Sequence, residues 1–141
     1  MTLTTLRLFL ACVVLESCVD AVQAETRVPY RARISKNCNA ALCNVPSAVV
    51  AANRRVELEN VSCVAQTNVG GQLIGAYIYT SPAPGMYHYL TQNWQRKSTY
   101  TFSEPTGIFA TAGQRFIAEV YGESTTSTFV SCSLYGDLVT P

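Results

Sequence analysis

From Arg27 onward, apolar and polar side chains alternate in short runs separated by turn residues, which is the period-two pattern of strands, and no stretch carries a helical stripe of any length. Arg27 to Ile34 puts Val28, Tyr30, Ala32 and Ile34 on one side, and Pro29 marks it as an edge strand. Arg55 to Gln66 sets Val56 and Leu58 against Glu57 and Glu59, after which Val61 and Cys63 carry the apolar pattern on the other parity. That phase change predicts a β-bulge near Glu59-Asn60.

Asn68-Val69-Gly70-Gly71 reads as a hairpin turn into a strand from Leu73 to Thr80, where Ile74, Ala76 and Ile78 oppose Gly75, Tyr77 and Tyr79. A proline-rich turn, Ser81 to Gly85, precedes a restart from Met86 to Leu90, and Gln92 to Ser98 is polar apart from Trp94. Further single-face sets are Tyr100 with Phe102, then Phe116, Ala118 and Val120, and finally Val130, Cys132 and Leu134. One segment, Pro46 to Ala52, is a candidate for one or two helical turns. Together these elements predict an all-β fold, an antiparallel β-sandwich of about seven to eight short strands.

The amino end follows a different rule. Arg7 precedes the apolar run Leu8 to Leu15, and small residues follow toward Val22-Gln23-Ala24, so residues 1–24 read as a cleaved signal peptide and 25–141 as a single domain. Glu16 and Asp20 make the run too short for a bilayer span, which needs roughly 20 apolar residues. A lipid anchor at Cys18 is the alternative, because Leu15-Glu16-Ser17-Cys18 resembles a lipobox except at Glu16. The expected location is periplasmic or secreted.

Composition narrows the function classes. The chain has 141 residues, 48% hydrophobic and 13% charged, with a net charge of +1, which suits one domain with a real core and no dedicated nucleic-acid surface. Removal of the signal discards Cys12 and Cys18 and leaves Cys38, Cys43, Cys63 and Cys132. An even number on an exported chain predicts disulfides, with Cys38–Cys43 closing a short polar loop and Cys63–Cys132 joining two apolar strands. Zinc is the competing use of the same thiols, but Cys63 and Cys132 have no close sequence partner, and no metal or other cofactor is expected.

Pro46, Arg55 to Cys63, Tyr100 to Pro105, Ala112-Gly113-Gln114-Arg115 and Val130 to Val139 together resemble a group of small exported proteins of soil and plant-associated Alphaproteobacteria. The resemblance covers most of 45–139. It implies export and a sandwich joined through Cys63 and Cys132, and it brings no activity or ligand. Val49-Val50-Ala51-Ala52 departs from the pattern, where a compact turn is expected.

Polar chemistry is thin. His88 is the only histidine and sits between Tyr87 and Tyr89, where a solvent-facing position is expected; a small hydrolase built on it has no nucleophile motif to use. Glu57 and Glu59 read as a solvated face in preference to an acid/base pair. Arg27, Arg31, Arg33, Lys36, Arg54 and Arg55 make the amino-terminal half basic, which suits edge protection first and attraction to an anionic envelope polymer second. Asn60-Val61-Ser62 is a glycosylation sequon only in a host that glycosylates exported chains.

The aromatic inventory is richer. If the strands holding Tyr77 and Tyr79 and Tyr87 and Tyr89 pair, their rings share one face, and with Trp94 they form a platform able to stack on sugar rings or anchor a protein. The sequence therefore points to an exported, non-catalytic envelope or interaction protein, and as the alternative to a carbohydrate-binding module. The expected partner is a protein or a glycan, not a nucleic acid.

Overall fold

A computed structural model describes residues 24–68, 71–83, 85–123 and 127–141, with the Trp94 side chain also outside the described set. The expected signal peptide lies outside it apart from Ala24. The described residues form ten strands: β1 (Thr26–Asn39), β2 (Leu42–Pro46), β3 (Arg55–Thr67), β4 (Leu73–Ser81), β5 (Tyr87–Leu90), β6 (Gln92–Arg96), β7 (Thr99–Pro105), β8 (Phe109–Thr111), β9 (Arg115–Gly122) and β10 (Ser127–Thr140). They make two antiparallel sheets, one ordered β1-β10-β3-β7-β6 with β8 also on β3, the other β2-β9-β4-β5. The fold is thus the all-β sandwich expected, with more strands because the polar stretch 92–96 and the short run 109–111 also pair.

The inward parity of both sheets supplies the core. Val56, Leu58, Val61, Cys63, Tyr100, Phe102, Val130, Cys132 and Leu134 come from the larger sheet, and Val45, Ile78, Leu90, Phe116, Ala118 and Val120 from the smaller, all buried. Burying a side chain such as Phe102 or Phe116 contributes roughly 1.5–3 kcal/mol. The Tyr100 hydroxyl reaches this interior with its polar end satisfied, donating to the Gly71 carbonyl at 3.1 Å.

The bulge lies where the phase change put it. Asn60 pairs Tyr135 and Leu58 pairs Gly136, so Glu59 is the extra residue that returns Val61 to the core. Pro29 is on an edge strand, since β1 pairs only β10 within its sheet.

Four expectations change. The hairpin expected at Asn68 to Gly71 does not form, because β3 and β4 lie in different sheets and do not pair; Val69 and Gly70 lie outside the described residues. Pro46 to Ala52 is not helical: Ser47 N–H donates to the Phe116 carbonyl at 2.8 Å and Val50 N–H to that of Gln114 at 2.7 Å, which continues the β2 edge along β9. Ile74 is 52% exposed because the register of β4 on β9 shifts between Leu73 and Gly75, which returns Leu73 to the core edge.

The fourth change concerns the bridges. Both expected disulfides are present, Cys38–Cys43 and Cys63–Cys132, so none of the four sulfurs is a free thiolate for zinc. Their structural roles are exchanged, however. Cys63 and Cys132 are directly opposite on neighbouring strands of one sheet, with Cα atoms 4.0 Å apart, so this bond does not join the two sheets. Cys38 on β1 and Cys43 on β2 belong to different sheets, and the short bridge is the one that spans them.

Candidate functional site: the tyrosine face of the smaller sheet

The outward parity of β4 presents Gly75, Tyr77 and Tyr79, and β5 pairs β4 with Tyr77 opposite Tyr89 and Tyr79 opposite Tyr87. On the other side, β9 places Tyr121 opposite Gly75, Glu119 opposite Tyr77 and Ile117 opposite Tyr79. The short proline-rich connection allows β5 to fold back on β4, and the inward positions Ala76, Ile78 and Leu90 hold the register by burial. Five of the chain's eight tyrosines therefore meet on one face.

The rings are not laid out as separate tiles. Tyr79 and Tyr87 stack with centroids 4.8 Å apart and planes at 14°, Tyr77 and Tyr121 stack at 5.5 Å and 10°, and Tyr89 meets Tyr77 edge-on at 5.2 Å and 73°. Cross-strand aromatic pairs of this kind contribute roughly 0.5–1.5 kcal/mol each beyond their area. The Tyr77 and Tyr121 hydroxyls are 3.3 Å apart in a hydrogen bond. Gly75 makes room for this: a Cβ there would stand 2.7 Å from the Tyr121 hydroxyl and 3.0 Å from its ring. Exposure rises toward the sheet edge, where Tyr87 is 73% and Tyr89 50% exposed.

Electrostatics on the face raise the proton affinity of two of its phenols, those of Tyr121 and Tyr79. The hydrogen bond with Tyr77, aided by burial, pushes the Tyr121 phenol up to about 12, and burial followed by the nearby Glu119 carboxylate and Tyr87 raises that of Tyr79. A phenol whose folded-state value lies above its unfolded one stabilises the fold fully below about pH 10, and that stabilisation is lost as pH rises through the folded value. Urea midpoints are accordingly expected to fall between about pH 9 and about pH 12, and less so for Tyr121→Phe. An equal alkaline decline in both proteins would show that the cluster is not its source.

The remaining candidates lie elsewhere. Trp94 belongs to β6 in the larger sheet, whereas the tyrosines are carried by strands of the smaller one, and its side chain lies outside the described residues. His88 is not solvent-facing: it pairs Ile78 on the inward parity of β5, is half-buried, and has Nε2 buried without a hydrogen-bond partner. Beside it, the hydrogen bond from Thr91 N–H holds the Glu104 carboxyl low. Glu57 is taken up structurally between Arg27 at 2.8 Å and Arg55 at 2.7 Å. Burial pushes its carboxyl upward, but the two arginine hydrogen bonds and charges outweigh burial and hold it below the usual range.

The sequence places Gly75 on a face with Tyr77 and Tyr79 but does not single out Glu119 and Tyr121. Their signal is present in the parity of β9, where Glu119 and Tyr121 alternate with buried Ala118 and Val120, but it acquires meaning only once β9 is known to lie beside β4.

The larger sheet presents a different outward surface. Ser133, Ser62 and Ser103 stand in one cross-strand row and Ser35, Ser131, Val64 and Thr101 in the next, with Arg31 and Arg33 along the β1 edge. Among the described residues, no helix is long and apolar enough to cross a membrane. No protein-family model matches the sequence, and no curated protein matches it. Among solved structures, the chain is similar to one titled "Structure of infectious bursal disease virus Gx strain", with a TM-score of 0.41 and 14% identity over 82% of this chain and 40% of that one, so it spans less than half of the viral chain's length.

Proposed function

We propose that the protein is an exported, non-catalytic binding protein, and that the tyrosine face is where it binds a glycan. The observation that carries this reading is the pair Tyr87 and Tyr89, the two most exposed tyrosines, set two residues apart on the edge strand β5 and backed by Tyr79 and Tyr77. Edge position leaves ring surface open to a sugar, with Tyr79 stacked against Tyr87 and Tyr77 meeting Tyr89 edge-on behind them. Glu119 beside them supplies an acceptor for sugar hydroxyls. Two disulfides fit an oxidising compartment outside the cytosol, periplasmic or extracellular.

Screening the folded protein against a glycan array, followed by titration of the best ligand, tests the reading. Loss of one stacking ring costs about 1 kcal/mol, so Tyr87→Ala and Tyr89→Ala are each expected to weaken binding about fivefold. Unchanged affinity in both variants would remove the face from the binding site. A protein partner is the second reading, favoured by Leu42, 48% exposed and opposite Tyr121 on the same face.

A further inference from the structure

We infer that Tyr79 and Tyr87 are a site of oxidative modification, at which a one-electron oxidant such as a peroxidase with hydrogen peroxide joins the two rings by a carbon–carbon bond within one molecule. Three observations lead there. The ring centroids are 4.8 Å apart, the shortest separation among the tyrosine pairs on this face, and close to the sum of two ring radii and one carbon–carbon bond. Tyr87 is 73% exposed, so an oxidant reaches it directly and its ring is free to turn from a stacked to an edge-to-edge approach. Glu119, opposite Tyr77 on β9 and diagonal to Tyr79, is a neighbouring carboxylate able to take up the proton that a phenol gives up as it is oxidised.

The chemistry balances without any group on the protein being consumed. Each phenol loses one electron and one proton to become a phenoxyl radical, and the two radicals couple at ring carbons ortho to oxygen. The hydrogens on those carbons then move to the oxygens, restoring two phenols. The two electrons and two protons released reduce one hydrogen peroxide to two waters. Proximity makes the coupling intramolecular, since reactants held at contact behave as though at an effective concentration far above that of any dilute protein.

The sequence offers a clean assay. Its two methionines are Met1 and Met86, so cyanogen bromide makes one internal cut, between Tyr79 and Tyr87. The folded protein is oxidised in dilute solution with peroxidase and hydrogen peroxide. It is then reduced, both to open Cys63–Cys132, which would otherwise hold the fragments together, and to return any sulfoxide of the exposed Met86 to the thioether that cyanogen bromide requires, and cleaved. Fragments that remain joined, carry dityrosine fluorescence and map to Tyr79 and Tyr87 by fragment mass are the expected result. Tyr87→Phe, which keeps the ring and removes one exposed hydroxyl, is expected to lower the joined fraction at least about tenfold. Complete separation of the wild-type fragments overturns the inference, as does a joined product that persists in Tyr87→Phe or a product made only of dimers. Glycan affinity of the unoxidised protein is a separate measurement, so the binding reading and this one fail independently.

Discussion

Replacing both Cys63 and Cys132 by alanine is expected to lower the unfolding free energy by about 4 kcal/mol, the largest loss available from a single bridge in this chain. The bond closes a sequence separation of 69, against 5 for Cys38–Cys43, whose removal is expected to cost about 2 kcal/mol on the same chain-entropy argument. The difference does not arise in the folded molecule. Cys63 and Cys132 are already held opposite each other by a ladder running from Thr67–Thr128 to Arg55–Val139, so the native state keeps its register without the bond. What the bond removes is the freedom of the unfolded chain. Against a typical total of roughly 5–15 kcal/mol, such a loss leaves a marginal protein. Urea titration should show a lower midpoint, with a steeper slope because the unfolded variant exposes more surface. A loss below about 1 kcal/mol would contradict the unfolded-state argument.

Gly136→Val is expected to be nearly as damaging for a wholly different reason. Gly136 sits opposite the bulge, and a Cβ built on it collides with the Glu57 carbonyl oxygen while lying 2.8 Å from the Leu58 Cα and 2.9 Å from the Glu57 carbonyl carbon. These are backbone atoms of a central strand, so no side-chain rotation relieves the contact. Either β3 retreats from β10 or the bulge is lost, and losing it turns Val61 and Cys63 out of the core. We expect a cost of at least about 3 kcal/mol, the upper end for overpacking, read from the thermal midpoint and from lost amide protection along β3. Gly107→Ala is the control, because a Cβ there meets nothing within 4 Å. Equal stability of Gly136→Val and wild type would mean that the strands do not approach as described.

The sequence was most legible where a signal is local. Parity within β3, the phase change at Glu59, the edge position of Pro29 and the fold-back of β5 on β4 each depend on residues close together in the chain. Sheet membership is not a local property. Asn68 to Gly71 announces that the chain turns, but a turn carries no information about whether the next strand stays in its sheet, and the hairpin expectation failed there. The same gap misassigned Cys63–Cys132 as a bond between sheets, and it grouped Trp94 with tyrosines that lie on the other sheet. Small residues around Val49 and Val50 permit a helical turn in isolation, but the β9 carbonyl of Phe116 and the adjacent Gln114 carbonyl offer hydrogen bonds that favour extension. At the candidate site, four rings were visible from alternation alone. Tyr121 and the glycine that accommodates it waited on the pairing of β9 with β4.

The position of the long bridge has one more consequence. Both its cysteines have no exposed surface, and exchange requires a thiolate to reach a sulfur along the bond axis. While the sandwich is closed, no external reductant has that path, so the lifetime of the Cys63–Cys132 bond in a reducing medium is set by how often the whole molecule opens. A bond that restrains the unfolded chain is thus itself protected by the folded one, and each rare opening is recorded chemically.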